Sequence, residues 1–342
     1  MKKILLCLVA VAAMASCVKE QTIVTPEKMA IEFSEFVNNS NTKAAIDPTF
    51  NNTNTPLNSF YVWGFMTQNT GVVFDKELVS RADAQSAWTY QNLAYWAPGK
   101  VYSFAALAPV ASVDNGEIQV TLATDNKYMA NDGSLGKLAF ENKNGTVDVL
   151  YATDNVTTPS PLAANPEKVE LTFAHLLSKI KFTFTNGLVN ENNKMVISNV
   201  KMVVPANGTI DLAVSPFTWA IANNATSTLE FGKAIDKADA TNDMLAVNGV
   251  GEVENERLTI PIATTQSLIS SYEVSFDVTI YNGDVEAQTV PMTSTIAGTS
   301  FLPGKCYNLN ATLTAEKLGL KVIEFTATVE DWVDGGDLGF LN

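Results

Sequence analysis

Histidine and cysteine are nearly missing from this chain of 342 residues, which carries one His and three Cys. A single imidazole excludes paired-histidine metal motifs, and neither a glycine-rich phosphate loop nor a nucleophile elbow occurs. The lone His175 lies in Phe173-Ala-His-Leu-Leu-Ser-Lys179 beside apolar strand positions, where a hydrogen-bonded structural role is expected. Carboxylates are plentiful, but no two stand out as a glycosidase pair. The acidic stretch Asp331-Trp332-Val333-Asp334-Gly335-Gly336-Asp337 lacks the alternating oxygen ligands of an EF-hand and reads as a solvated turn. No catalytic residue, metal or cofactor is therefore expected, and the chain does not read as an enzyme. Positive charge is also short, with 22 Lys and Arg against 36 Asp and Glu, for a net charge of −14. A surface that acidic repels phosphate backbones, which excludes nucleic acid as an expected partner.

Long apolar runs are missing beyond the N-terminus, so no membrane-spanning helix is expected. At the N-terminus, Lys2 and Lys3 precede the apolar stretch Ile4 to Met14, too short to serve as an anchor. Ala15 and Ser16 then lead into Cys17, an order that resembles the lipobox read by bacterial lipoprotein signal peptidase. On this reading residues 1–16 are a signal peptide, and the Cys17 thiol accepts the lipid. An ordinary secretory signal followed by a coincidental cysteine is the competing reading. Cys7 leaves with the signal peptide and Cys17 is acylated, so Cys306 is left without an internal disulfide partner. Its place in a strand after a turn suggests a buried thiol rather than a nucleophile.

What the chain has in quantity is strand-forming sequence. Residues 18–43 hold one alternating segment, Ile31-Glu32-Phe33-Ser34, with Ile31 and Phe33 on one face. It runs into the Asn-rich Asn38-Asn39-Ser40-Asn41-Thr42-Lys43, expected to be an exposed linker. From residue 60 onward, alternation recurs at Phe60–Met66, Val101–Val110, Val169–Phe173, Ile180–Phe184, Met195–Val204, Tyr272–Tyr281, Cys306–Leu313 and Lys321–Val329. Only Lys76–Gln91 suggests a short helix. The expected class is all-β, of sandwich type.

A nine-residue echo points to two domains: Trp96-Ala-Pro-Gly-Lys-Val-Tyr102-Ser-Phe104 resembles Phe301-Leu-Pro-Gly-Lys-Cys-Tyr307-Asn-Leu309. Pro-Gly suits the two central positions of a type II turn, and each turn feeds a strand. The Pro-containing stretch Thr157–Lys168 is the expected boundary, which gives domains 44–165 and 166–342. Trp63, Trp88, Trp96, Trp219 and Trp332 admit sugar stacking, but core packing is the favoured reading.

Three segments together resemble the fimbrillin family of Bacteroidales, the lipoprotein-derived pilins of type V fimbriae and their Mfa-like relatives. They are Tyr95-Trp96-Ala-Pro-Gly-Lys-Val-Tyr102, then Asp148-Val-Leu-Tyr151-Ala continuing through Phe173-Ala-His175-Leu-Leu-Ser-Lys179-Ile180, and the ending Thr328-Val329-Glu-Asp331-Trp332. The middle segment is the most specific.

The resemblance implies two tandem transthyretin-like β-sandwiches and assembly by strand exchange. A lipoprotein subunit would reach the outer membrane surface, where a trypsin-like protease removes residues 17–43 with their strand. Lys43-Ala44 is then the expected cut, although well-studied members are cut after Arg. Ile31 and Phe33 would fill the groove beforehand, and a neighbouring fimbrial subunit would fill it afterwards. Ile323, Phe325, Ala327 and Val329 form one face of the candidate donor, with a role as the final strand of their own domain as the alternative. The implied function is that of a surface fimbrial subunit supporting adhesion. The alternative is a lipid-anchored glycan-binding lipoprotein that stays monomeric.

Overall fold

The computed structural model describes residues 28–37, 57–66, 71–83, 85–122, 135–221, 225–262, 271–297, 300–320 and 323–331. In chain order the first half contributes β1 (Phe33–Val37), β2 (Ser59–Met66), β3 (Gly71–Ser80), β4 (Val101–Ala108), the short helix α1 (Val110–Asp114), β5 (Ile118–Thr121), β6 (Lys137–Glu141), β7 (Leu150–Thr157) and β8 (Val169–His175). Next come β9 (Ser178–Asn186), β10 (Asn193–Pro205), β11 (Asn207–Asp211), β12 (Trp219–Ile221), β13 (Thr226–Gly232), β14 (Ala234–Asp236) and β15 (Val250–Val253). The chain closes with β16 (Arg257–Thr259), β17 (Ser271–Asn282), β18 (Val285–Ala297), β19 (Lys305–Leu313), the short helix α2 (Ala315–Leu320) and β20 (Thr326–Asp331).

Period-two patterning accounts for the strands. In β9, Ile180, Phe182 and Phe184 point into a core while Lys181 and Thr185 lie on the other face. β2 and β3 show how the pattern bends. Gly64 sits where an added Cβ would meet the Phe74 ring at 2.9 Å and the Phe104 ring at 3.0 Å. The β2–β3 register slips beside it, and Lys76 takes a positive φ of 53°, the mark of a bulge.

The strands form four sheets, with orders β1-β8-β7-β4-β2-β3, β12-β11-β6-β5, β13-β10-β17-β18 and β14-β15-β9-β19-β20, β16 also pairing with β9. The last two sheets enclose one core, built from residues such as Phe182, Phe184, Met202, Phe231, Phe276 and Leu309. The first sheet is buried on both faces. One face packs on the β12-β11-β6-β5 sheet through Trp63, Leu107, Phe140, Tyr151 and Trp219. The other holds Phe60, Phe74, Trp96, Phe104 and Phe173 with the N-terminal Ile31 and Phe33.

β8 is hydrogen-bonded within the first sheet, and the chain changes sheets after it, at Leu176-Leu177. The two sandwiches are also not strictly sequential: β11, from the second half, pairs along its whole length with β6, from the first. The helix expected over Lys76–Gln91 is absent, since β3 extends to Ser80 and Asp83 then holds a turn by accepting the Gln85 and Ser86 backbone N–H groups. At the other end, the strand expected over Lys321–Val329 is observed from Thr326 to Asp331.

Candidate functional site

The feature with the clearest functional potential is the seat of the N-terminal strand. Ile31 is fully buried and Phe33 nearly so, on the same face of the segment. The Phe33 ring lies 5.7 Å from Phe74, 5.7 Å from Tyr90, 6.0 Å from Phe60 and 6.4 Å from Phe104, mostly edge to face. Burying two such side chains stabilises the segment by roughly 1.5–3 kcal/mol each.

Backbone pairing fixes the segment on two sides. β1 runs parallel to β8, with Phe33 opposite Val169, Glu35 opposite Leu171 and Val37 opposite Phe173. The Val169 N–H donates to the Glu32 carbonyl at 2.8 Å, and the exposed Lys168 ammonium sits 2.8 Å from the Glu32 carboxylate. On the other side, the Ile31 N–H donates to the Ala94 carbonyl and the Trp96 N–H to the Met29 carbonyl, at 2.9 and 3.0 Å. The Tyr90 hydroxyl donates to the Ile31 carbonyl at 2.7 Å.

Residues 88–96 thus form a strap across the segment, and a buried carboxylate anchors the strap. Glu77 accepts the backbone N–H groups of Gln91 and Asn92 at 3.0 Å and the Asn92 amide at 2.7 Å. Burial pushes the Glu77 carboxyl up, but these donors outweigh it and hold its pKa below the usual glutamate value. Arg81 stacks on Trp88, its guanidinium carbon 4.3 Å from the ring centre.

The repeated Pro-Gly units are the same device built twice. Gly99 and Gly304 take φ values of +63° and +67°, which the turns require of glycine. The Ala97 N–H donates to the Tyr102 hydroxyl and the Leu302 N–H to the Tyr307 hydroxyl, both at 2.8 Å. Trp96 packs edge-on to Tyr102 at 4.8 Å, and Phe301 to Tyr307 at 4.7 Å.

The Phe173–Lys179 segment joins the two sandwiches. His175 Nδ1 lies 2.7 Å from Asp148 Oδ2 with both side chains buried, a polar pair inside the fold. The Trp219 indole N–H donates to the Leu176 carbonyl at 2.7 Å, and the Ser178 hydroxyl donates to the Leu302 carbonyl at 2.7 Å. Cys306 is partly buried, and burial first, then the nearby Glu256 and Glu330 carboxylates, push its thiol up to about 12. Among the described residues no group of His, Cys, Asp and Glu could hold a metal ion, and no helix is long and apolar enough to cross a membrane.

The other sequence-derived positions divide in two. Cys17, Lys43, Ala44 and Trp332 lie outside the described residues. Of the candidate donor face, Ile323 is buried and Phe325 half-buried, its ring 5.5 Å from Phe182 and 6.2 Å from Phe184. Ala327 and Val329 are exposed on β20, which pairs antiparallel with β19. Sequence reasoning missed the strap and Glu77. The alternation of Glu77 with Phe74 and Val79, displaced by the bulge, was its only trace.

The fold has solved counterparts. A fimbrial protein from Bacteroides vulgatus is 12% identical, with a TM-score of 0.54 over 89% of this chain and 99% of its own. A putative cell adhesion protein from Bacteroides uniformis is 14% identical, with a TM-score of 0.44 over 90% and 99%. The fimbrial anchor protein Mfa2 from Porphyromonas gingivalis is 8% identical, with a TM-score of 0.40 over 90% and 98%. No curated protein matches this chain. The fimbrillin-like family model matches residues 42–332, most of the length, and the chain belongs to that fimbrillin-like family.

Proposed function

We propose that this protein is a structural subunit of a cell-surface fimbria that polymerises by exchange of its N-terminal strand and supports adhesion. The precursor is exported as a lipoprotein carrying its lipid on Cys17, which holds it in the outer membrane. A trypsin-like surface protease cuts at Lys43-Ala44 and releases residues 17–43, so the lipid serves delivery. The observation that carries this reading is the seat itself. A short segment from outside the family-matched region, with Ile31 and Phe33 at its centre, fills a largely apolar groove in the first sheet. Its removal would leave a row of β8 hydrogen-bonding groups and an aromatic cage, the chemistry that a strand from another subunit satisfies. The face formed by Ile323, Phe325, Ala327 and Val329 is the candidate donor.

The monomeric glycan-binding alternative has less to draw on. Trp63, Trp96 and Trp219 are buried, and Trp88 is covered by Arg81. N-terminal sequencing of the surface-exposed protein tests the proposal. The expected start is Ala44, with trypsin-treated precursor forming ladders that survive mild SDS. Recovery only of an acylated Cys17 form, with no fibres, would overturn it.

A further inference from the structure

The N-terminal segment is gripped differently along its two halves. The later half, Phe33–Val37, is laddered to β8. Among the described residues the earlier half, Met29–Ile31, pairs with the strap alone, with Ala30 opposite Tyr95. The Ile31 N–H donates to the Ala94 carbonyl and the Tyr90 hydroxyl donates to the Ile31 carbonyl, so both backbone groups of Ile31 are bonded to the strap. The Tyr90 ring also closes the cage, 5.7 Å from Phe33 and 5.2 Å from Phe74. Ile31 is fully buried beneath these groups and can leave only when the strap does, because its polar groups would otherwise be stranded.

The strap is itself fastened at three points. Glu77 accepts hydrogen bonds from Gln91 and Asn92, Ser80 and Thr89 exchange two backbone bonds at 2.9 and 2.8 Å, and Arg81 covers Trp88. Gln91, Asn92, Leu93 and Tyr95 are exposed, which leaves the strap free to lift on its outer side. The order of these contacts along the chain matters, because the expected cut falls on one side of them. Cleavage at Lys43-Ala44 gives the segment a free end shortly beyond Val37, from which the β8 ladder can peel. It leaves untouched the strap's hold on Met29–Ile31, the part nearest Cys17.

We propose that the strap is a latch on the lipid-bearing fragment: after the cut at Lys43 the subunit stays bound to residues 17–43, and through them to the membrane, until residues 88–96 lift away from β3. The proposal rests on the lipoprotein and strand-exchange reading above and adds to it a separate release step whose rate the strap sets. Cleavage alone then does not free the subunit. Glu77 is a positioning residue in this latch: it holds Gln91 and Asn92, and the strap's Tyr90 and Ala94 hold Ile31.

Release from vesicles tests this. The full-length lipidated protein carries Lys19→Gln and Lys28→Gln, which leave Lys43 as the only basic residue ahead of Lys76 in the exported chain. It is placed in phosphatidylethanolamine–phosphatidylglycerol vesicles and given limited trypsin, and the cut body is followed between vesicle pellet and supernatant. The body should still pellet when cleavage is complete and then leave slowly. Glu77→Gln should speed its leaving at least about tenfold, the factor carried by loss of one hydrogen bond to a charged group. Asn92→Ala, at an exposed position, should speed it less and serves if Glu77→Gln does not fold. Ser80→Cys/Thr89→Cys should do the opposite. Directly opposed residues of an antiparallel pair lie within disulfide reach, so oxidation pins the strap to β3 and should slow release at least about tenfold. Reduction should restore the original rate.

A body that reaches the supernatant as fast as Lys43 is cut, in every variant, would overturn the latch and leave strand exchange standing. Retention that neither Glu77→Gln, Asn92→Ala nor the disulfide alters would assign the hold to β8 and the ring cage, and would overturn the latch too. A released body that forms no ladders, alone or with other subunits, would overturn strand exchange while the latch stands. A Lys43-Ala44 bond that trypsin leaves intact would overturn both.

Discussion

The first and second sandwiches solve the same closure problem with different degrees of commitment. Each has a Pro-Gly turn whose tyrosine hydroxyl caps a backbone N–H five residues earlier, and each is sealed by an Ile-Glu-Phe segment. In the first, Ile31 and Phe33 are both buried, β8 and the strap grip the backbone, and Glu77 pins the strap. In the second, Phe325 is only half-buried and the strand after it lies open on an edge. The N-terminal segment is therefore the better fastened of the two. Under the proposed strand exchange, tight fastening would keep the precursor closed until it is cut.

Truncating the two sealing phenylalanines breaks or sharpens this contrast most directly. Phe33→Ala should cost about 3–5 kcal/mol in urea unfolding of the full chain, as for a buried ring, and Phe325→Ala about 2 kcal/mol, since part of its surface stays in water. Equal losses would sink the idea of unequal fastening. The paired tyrosines test the shared part of the design. Tyr102→Phe and Tyr307→Phe should each cost about 1–2 kcal/mol by leaving the Ala97 or Leu302 N–H without its acceptor, and the two should agree closely.

The strap gives a smaller, pH-dependent effect. The Glu77 carboxyl titrates below its ordinary value, so the unfolded chain takes up a proton first as pH falls. Its contribution is complete above the ordinary glutamate pKa of about 4.3 and fades below it. Amide protection factors in residues 88–96, taken against the intrinsic rates at each pH, should therefore fall in acid. Glu77→Gln should flatten that dependence at a cost of about 1 kcal/mol. If the variant keeps the wild-type acid response, Glu77 is not the anchor. The smallest signal is expected at Cys306: iodoacetamide should leave it unmodified in the native protein at pH 8, since its thiol sits near 12.

Much of the fold could be read from alternation. β2, β4, β8, β9, β10, β17 and β19 all lie where apolar residues recur every second position. β3 escaped because the bulge at Lys76 puts its buried residues at Phe74, Glu77 and Val79, a spacing that mixes helical and strand periods. The β12-β11-β6-β5 sheet escaped for another reason: its strands are short and their pairing is set by tertiary contacts, which local sequence does not encode. For the same reason the parallel partners of β1 and β19 could not be read, nor could the place where the chain changes sheets. In the site, Ile31 and Phe33 were visible as a two-residue stripe. The strap was not, because its grip is made by backbone carbonyls, a hydroxyl and one carboxylate that leave no pattern in the chain.

The β6–β11 ladder has a mechanical consequence. It pairs Lys137–Glu141 with Asn207–Asp211 over their full lengths, stitching a hairpin of the second half to one of the first. Tension applied across the molecule is then shared between the covalent passage at Leu176-Leu177 and this row of backbone bonds. The two sandwiches would resist being pulled apart as one unit instead of hinging like beads on a string.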